Sequence, residues 1–339
     1  MRVLVTGGTG FVGSHSVAAL LSQGHQVRLL VRSRKRVACS LSPLGVAEVE
    51  SVVGAVTAPR SVEEAMAGCD AVLHAAAIFS FDTRAASRIR EVNVGGAEIV
   101  LAAAVRAGLD PIVHVSSYVA LLPPGAGVLT PDSTVKRPHG AYCRSKAESE
   151  RVARRYQEQG APVVIIYPGA VIGPNDPYHG ESNRTLVFLN GGVTMRRGGA
   201  SYVDVRDVAR VHGAVMEPGR GPRRYMITGH YVALQDLTAM LHEITGRHGL
   251  TVAIPAGAAR AVGRVADLVQ HIVPHQLPLS HEATWDAALE AHCDDSRTAS
   301  ELGITPRDLR VTLADTVRWL ADQGHIAPAL TREAAQVRG

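Results

Sequence analysis

The sequence predicts an α/β protein with a doubly wound parallel sheet and a smaller, mostly helical C-terminal lobe. Three observations support this fold class. Short runs of Val, Ile and Leu alternate with amphipathic helical patterns through the first half of the chain, and these runs are apolar on both faces. Hydrophobic residues make up 46% of the 339 residues, yet aromatic residues only 4%. Strands covered by helices on both sides form such continuous apolar runs, and strand–helix alternation is typical of a parallel sheet.

The predicted elements follow from this patterning. The strand candidates are runs of five or six residues, namely Arg2–Thr6, Gln26–Val31, Glu48–Val53, Ala71–Ala75, Ile112–Ser116 and Val163–Tyr167. The helix candidates between them carry apolar residues every three or four positions, and they are Gly13–Gln23, Val62–Ala67, Arg88–Ala107 and Ala141–Gln159. Farther along the chain we expect a helix at Val208–Met216, a strand at Tyr225–Thr228 and a closing helix at Leu309–Gln323.

The chain is expected to divide into two regions. The sheet domain should comprise residues 1–174, with residues 205–229 returning to it. A second lobe should comprise residues 175–204 and 230–330, where helical patterns are separated by Pro and Gly, and residues 331–339 should form a flexible tail. Within the lobe, the amphipathic segment Ala258–Ile272 is expected to pack on its neighbours. Contact of this helix with a membrane surface is the less favoured alternative.

Composition and charge exclude several classes of protein. The formal net charge is +4, and no basic stripe with interleaved aromatic residues is present, so nucleic-acid binding is not expected. No signal-peptide pattern and no apolar run of about 18 residues is found, which predicts a cytoplasmic protein. The cysteines are far apart without a C-x-x-C pair, as is typical of reduced thiols; they are Cys39, Cys69, Cys143 and Cys293.

Two further site classes are not expected. His271 and His275 have the i, i+4 spacing of a metal-binding pair, but Pro274 lies between them and a third ligand is not evident. The sequence also lacks the G-x-S-x-G motif of many hydrolases. We therefore predict neither a metal site nor a hydrolase.

A glycine motif at the N-terminus predicts a dinucleotide site. The first strand leads into the sequence TGGTGFVG, in which Gly7, Gly10 and Gly13 are spaced as G-x-x-G-x-x-G before a helix. Glycine permits the tight turn and lets the backbone approach a pyrophosphate, while the helix N-terminus offers free N–H groups. The position between a strand and a helix distinguishes this motif from an ordinary glycine-rich turn.

The end of the second predicted strand indicates which dinucleotide is preferred. NAD-binding proteins usually carry Asp or Glu about 20 residues after the glycines, where this chain has Arg32. A guanidinium pairs well with the 2′-phosphate of NADP. NADP(H) is therefore preferred over NAD(H), and a solvated basic loop is the alternative interpretation.

Tyr142 and Lys146 are the candidates for acid/base chemistry. Their i, i+4 spacing places both side chains on one face of a predicted helix. A neighbouring ammonium lowers the pKa of a phenol, which lets the pair exchange a proton near neutral pH. Ser116 and Ser117 follow the fifth predicted strand, at the sheet edge where α/β proteins bind ligands. Either hydroxyl could contact a substrate oxygen, or both could simply cap the strand end.

Together these residues resemble the extended short-chain dehydrogenase/reductase family, whose members have a Rossmann fold. The overall pattern is similar to dihydroflavonol reductases and 3β-hydroxysteroid dehydrogenases. The resemblance is strong over residues 1–230 and weaker in the C-terminal helix. The matching motifs are TGGTGFVG (6–13), HAAA (74–77), NV (93–94), SS (116–117), YCRSK (142–146), YPGAVIGP (167–174) and YVDVRDVA (202–209).

The resemblance implies a role for each matching residue. Tyr142 would be the acid/base, Lys146 would lower its pKa and hold the nicotinamide ribose, and Ser117 would polarise the substrate oxygen. Asn93 would either shape a proton relay or anchor backbone. The residues expected to contact the cofactor are Gly7, Thr9, Gly10, Phe11, Val12, Gly13, Arg32, Ala75, Ala76, Ala77, Ser116, Tyr142, Lys146, Pro168, Gly169, Ala170 and Val171.

Two features depart from the family pattern. The third strand leads into Gly54-Ala55, where relatives often have Gly-Asp for the adenine, so that contact is in doubt. The separation between Ser117 and Tyr142 is shorter than in many extended members, which indicates a trimmed loop over the substrate.

The leading functional hypothesis is an NADP(H)-dependent oxidoreductase that interconverts a carbonyl group and an alcohol. The alternatives are a nucleotide-sugar epimerase or dehydratase that retains NAD, and a non-catalytic NADP sensor. The partner is expected to be a small, hydrophobic carbonyl or alcohol substrate. The family also implies a homodimer formed through the helices near Arg88–Ala107 and Ala141–Gln159.

Overall fold

The computed structural model describes residues 1–123, 127–270 and 280–326. Its strands are β1 (Arg2–Thr6), β2 (Gln26–Val31), β3 (Glu50–Val53), β4 (Ala71–His74), β5 (Ile112–Val115), β6 (Val163–Pro168), β7 (Ala170–Ile172), β8 (Val193–Met195), β9 (Gly199–Asp204), β10 (Arg223–Ile227), β11 (His230–Ala233) and β12 (Val252–Ile254). Its helices are α1 (Phe11–Ser22), α2 (Lys35–Leu41), α3 (Pro59–Met66), α4 (Ala86–Arg90), α5 (Gly96–Arg106), α6 (Ala141–Glu158), α7 (Glu181–Asn190), α8 (Val205–Ala214), α9 (Leu234–Thr245), α10 (Ala256–Gln270), α11 (His281–Ala287), α12 (Ser296–Leu302) and α13 (Leu309–Asp322).

The main sheet has the doubly wound order. Within the described residues its seven strands are parallel and run β3-β2-β1-β4-β5-β6-β10. The direction of winding reverses between β1 and β4, and ligands bind outside the carboxyl ends of the strands at such a reversal. The predicted fold class is confirmed.

Alternation along the strands builds an apolar layer on each face of this sheet. Val3 and Val5 of β1 are fully buried on the face covered by α1 and α8. Leu4 is fully buried on the opposite face, which α3, α5 and α6 cover. Successive side chains of a strand point to opposite faces. Both faces of β1 are thus covered by packed side chains, and its carboxyl end remains accessible to a ligand.

The lobe contains short strands that the sequence did not predict. The strands β11, β9 and β7 form a small sheet, and β12 pairs with β8. β7 and β12 are apolar but have only three residues each, while β8, β9 and β11 are interrupted by Thr, Ser, Tyr or charged residues. None of them forms the longer apolar run that marked the main sheet. Helices α7, α9 and α13 pack against them around buried residues such as Leu186, Leu237 and Leu313.

The helix expected at Arg88–Ala107 is interrupted. The structure has α4, then a π-helical segment at Glu91–Gly95, then α5. A π-helical turn accommodates one extra residue, and such turns are frequent at functional sites. Asn93 lies in this segment and is buried.

Some sequence predictions fall outside the described residues. These are His271, Pro274 and His275, the end of the helix expected to reach Ile272, and the tail at 331–339. Among the residues that are described, no group of three potential metal ligands occurs. Nor is any described helix both long and apolar enough to cross a bilayer.

Candidate active site

The loop after β1 is held in a tight turn by its own backbone. Gly7 has a φ of +76°, and the N–H of Gly10 donates to its carbonyl at 2.8 Å. A Cβ on Gly7 would lie 2.6 Å from the backbone nitrogen of Ala76, and one on Gly13 would overlap the carbonyl oxygen of Gly7. No other residue fits at these two positions. The turn presents the N-terminus of α1, where unpaired N–H groups attract anions.

A cavity of about 590 Å³ opens beside this turn. Every residue that the sequence predicted as a cofactor contact lines it, and so does Ser117. Gly54 and Ala55 also contribute to the wall, at the place where the family pattern has an acidic residue. The hydroxyl of Ser116 is buried without a hydrogen-bond partner among the described residues. The glycine cradle and this unpaired hydroxyl fit a nicotinamide dinucleotide.

One end of the cavity is basic. Arg32 and Arg36 line it and are both exposed. The guanidinium of Arg36 lies 5.2 Å from the centre of the Tyr178 ring, a cation–π distance. Tyr178 belongs to the segment between β7 and α7, so this contact joins the two sides of the cavity. Arg34, by contrast, is absent from the lining and donates to the carbonyl of Ser51 at 3.3 Å.

At the other end lie the predicted acid/base residues. Tyr142 and Lys146 are on α6. Ser116 directly follows β5, and Ser117 is the next residue. The ammonium of Lys146 is buried and donates to the carbonyl oxygen of Val115 at 2.9 Å. The nearby Ser117 hydroxyl acts to lower the pKa of the Tyr142 phenol, and it accepts the N–H of Val119 at 3.4 Å.

Burial controls the protonation of both groups. It raises the pKa of the Tyr142 phenol well above its usual value of 10, and the nearby Ser117 hydroxyl offsets this only in part. It lowers the pKa of Lys146 to about 8. The direction for Tyr142 is opposite to the lowering expected from a neighbouring ammonium, because desolvation of the phenolate dominates. Both groups are therefore driven toward their uncharged forms.

Asn93 makes positioning contacts. Its amide oxygen accepts the N–H of Ile78 at 2.7 Å, and its amide nitrogen donates to the Ile78 carbonyl at 3.0 Å and to the Ser145 hydroxyl at 2.9 Å. Asn93 thus fixes the segment after β4 against α6. The family resemblance implies either a proton relay or the anchoring of backbone for Asn93, and these contacts match the anchoring role. Asn93 does not line the cavity.

The structure adds residues that sequence reasoning missed. Phe79 and Phe81 pack on Tyr142, with ring centres 4.6 and 6.3 Å away. Glu282 accepts hydrogen bonds from three backbone N–H groups at the start of α6, and Asp286 lines the cavity. The two phenylalanines lie just after the HAAA motif, in the segment 78–82, whose position at the carboxyl end of β4 predicts that it lines the pocket. For the two acids, no local sequence pattern signalled a site.

Comparison with known proteins gives a consistent result. The family model described as NAD dependent epimerase/dehydratase family matches residues 3–228. Sterol demethylase protein B of Methylococcus capsulatus is 31% identical, covering 96% of this chain and all of the relative. The 4-hydroxy-2-methyl-3-oxo-4-farnesyl-3,4-dihydroquinoline-1-oxide ketoreductase of Stigmatella aurantiaca is also 31% identical, covering 96% and 98%. The crystal structure of a dTDP-glucose 4,6-dehydratase from Streptomyces venezuelae, with NAD and TYD bound, superimposes with a TM-score of 0.74 at 27% identity, covering 97% and 100%.

Replacing Gly13 with Ala should weaken NADPH binding about tenfold or more. The new methyl group overlaps the Gly7 carbonyl, and overpacking of this kind costs about 1–3 kcal/mol. Gly257 is a matched control, since it also lies in a helix and a Cβ there meets no described atom within 4 Å. Calorimetric titration with NADPH should show a weaker Kd for Gly13→Ala and an unchanged Kd for Gly257→Ala. Equal affinity of both variants would contradict the role given to the turn.

Proposed function

The chain belongs to the NAD dependent epimerase/dehydratase family, and we propose that it is an NADP(H)-dependent reductase of hydrophobic ketones or aldehydes, or the corresponding alcohol dehydrogenase. Its relatives and family make it a nicotinamide-dependent oxidoreductase that acts on a small molecule. The observation that carries the proposal is that Ser117, Tyr142 and Lys146 share one cavity with the glycine turn.

In this proposal Ser117, Tyr142 and Lys146 each have a separate role in the reaction at the substrate oxygen. A nicotinamide held in this cavity by the glycine turn would supply the hydride to the neighbouring carbon, or accept it from that carbon. Ser117 donates a hydrogen bond to the oxygen, and the Tyr142 phenol donates the proton in the direction of reduction. The raised pKa of Tyr142 keeps the phenol protonated until the oxygen gains negative charge. The Lys146 ammonium, present below about pH 8, stabilises negative charge on the phenol oxygen after transfer.

The preference for NADP(H) rests on the basic end of the cavity. Arg32 directly follows β2 and faces the cavity without an acidic residue beside it in the sequence. A 2′-phosphate at this end would pair with Arg32, and Arg36 lies close enough along the wall to add a second positive charge.

The proposed substrate is hydrophobic. Phe79, Phe81 and Val119 line the cavity around Tyr142, and two relatives have names that refer to a sterol and to a farnesyl-bearing ketone. We assign residues 1–174 and 205–229 to the NAD(P)-binding domain, and residues 175–204 and 230–330 to the substrate-binding lobe. The proposed assembly is a homodimer through α5 and α6.

A nucleotide-sugar epimerase or dehydratase is the second candidate. The likeness to the Streptomyces venezuelae dehydratase with bound NAD favours it. Against it stands Arg32 in the cavity wall, since proteins that bind NAD usually carry Asp or Glu at that position. NAD that stays bound through purification would support this candidate.

Replacing Tyr142 with Phe should lower kcat/KM for ketone reduction by at least about 100-fold, because the proton donor is lost. NADPH should still bind, since the phenol ring remains. Tyr156→Phe is the control on the same helix; its hydroxyl donates to Glu98 and it does not line the cavity. The measurement is NADPH consumption with a panel of ketones, steroids, flavonoids and nucleotide sugars. Full activity of Tyr142→Phe would refute the acid/base assignment.

Replacing Arg32 with Ala should weaken NADPH binding by about tenfold to 100-fold, because a charge-assisted hydrogen bond is worth about 1.5–3 kcal/mol. NADH binding should change by less than about twofold, since NADH lacks the 2′-phosphate. Arg34→Ala removes a neighbouring exposed charge that is not part of the cavity wall. Titration of both variants with both cofactors tests this. Equal losses for NADPH and NADH with Arg32→Ala would count against the assignment.

A further inference from the structure

Helix α11 carries two carboxyl groups one turn apart, and their surroundings differ. Glu282 is buried and accepts the N–H groups of Ala141, Tyr142 and Cys143 at 2.9, 3.4 and 2.8 Å. It caps the start of α6. Burial raises the pKa of Glu282, and the three donors act against that rise by stabilising its ionised form. The hydrogen-bonding capacity of Glu282 is thus directed at the backbone, away from the cavity.

Asp286 lacks such donors. The Tyr118 hydroxyl donates to its Oδ2 at a long 3.4 Å, and its buried Oδ1 accepts no hydrogen bond from any described residue. The side chain lines the cavity together with Ser117 and Tyr142. An ionised carboxylate with one unsolvated oxygen is costly. A neutral carboxylic acid in the same place carries an O–H that needs an acceptor.

We propose that Asp286 binds the substrate as a neutral acid, donating a hydrogen bond to a second oxygen of the substrate, beside the reacting carbonyl. This inference rests on the proposed function and specifies its substrate class. The preferred substrates are uncharged hydrophobic ketones that carry a further hydroxyl or carbonyl oxygen. Ketones with a carboxylate or phosphate near the reacting carbon are rejected.

The hydrogen bond from Tyr118 favours ionisation of Asp286, whereas burial and the Glu282 carboxyl oppose it. The other acidic or weakly acidic side chains nearby are Tyr142 and Cys143 on α6, Tyr202 on β9 and Cys293 before α12. Helix α10, which packs against α11, contributes Asp267, whose carboxylate accepts the N–H of His281 at 3.2 Å. Burial and the charge of Glu282 raise the pKa of Asp286 from 3.8 to about 7. The neutral acid therefore predominates below about pH 7 and is lost as the pH rises through that value.

The experiment compares three aryl ketones of similar size. Acetophenone has one oxygen, 2-hydroxyacetophenone adds a hydroxyl, and phenylglyoxylate adds a carboxylate. Their affinities for the full-length enzyme saturated with NADP⁺, which cannot transfer hydride to them, are measured by calorimetry at pH 6.0 and pH 8.5. At pH 6.0 we expect 2-hydroxyacetophenone to bind about tenfold more tightly than acetophenone, the effect of one buried hydrogen bond, and phenylglyoxylate to bind more weakly than either.

Two variants test the contribution of the Asp286 side chain to binding. Asp286→Asn keeps an N–H donor but cannot ionise, so the ratio of its affinities for 2-hydroxyacetophenone and acetophenone should not change with pH. In the wild type this ratio should fall about tenfold between pH 6.0 and pH 8.5 as the donor is lost and a charge appears. Asp286→Ala should bind 2-hydroxyacetophenone and acetophenone equally at both pH values. Lys146 is retained in all three proteins, so its own titration cancels in the comparison.

Three results would overturn the proposal. They are equal wild-type binding of the three ketones, a pH dependence of Asp286→Asn that matches the wild type, and failure of all three ketones to bind. The proposed function fails separately, if NADPH is not consumed with any ketone while the pH-dependent binding preference persists. Because the readout is binding, loss of turnover alone leaves the assignment of Asp286 standing.

Discussion

At the carboxyl ends of β1 and β4, three segments pack backbone against backbone with no side chain between them. They are the turn after β1, the segment after β4 and the first turn of α1. Gly7 lies against the backbone of Ala75 and Ala76, and the first turn of α1 reaches the Gly7 carbonyl through Gly13. This close approach sets where α1 begins, and therefore where its unpaired N–H groups point. It also aligns the segment after β4, which carries Phe79 toward Tyr142. Both ends of the cavity depend on this one contact.

The pKa values of three ionisable groups in the cavity are all shifted in the direction that favours the uncharged form. Burial raises the pKa of Tyr142 and of Asp286, and it lowers that of Lys146. Each shift favours the uncharged form, as expected where water is excluded. A carbonyl group that gains negative charge in such a place depends strongly on the nearest donors, because electrostatic interactions strengthen as the local dielectric falls. In the proposed reaction, the protonated phenol and the Ser117 hydroxyl are those donors.

The sequence was sufficient for the parts of the molecule that depend on local patterns. The main strands are apolar runs, the glycine turn is contiguous, and Tyr142 and Lys146 share a helix face through their spacing. The π-helical segment around Asn93 was missed because an inserted residue barely changes helical periodicity. The lobe's short strands were missed because β8 and β12 span three residues each. Glu282 and Asp286 lie about 140 residues after Tyr142, and only the folded lobe brings them to α6.

Helix α11 contacts both the cavity wall and the start of α6, which carries Tyr142. Glu282 binds the N–H groups at the start of α6, including that of Tyr142. Gly140, with a φ of +87°, leaves room for this carboxylate, since a Cβ there would overlap the Glu282 side chain. Asp286 stands one turn farther along the same short helix, at the cavity wall. Because one short helix holds both carboxyl groups, a single helical turn separates the proposed substrate anchor from the residue that caps α6. A substitution that shifts α11 would therefore disturb both the proposed anchor and the start of the helix that carries Tyr142.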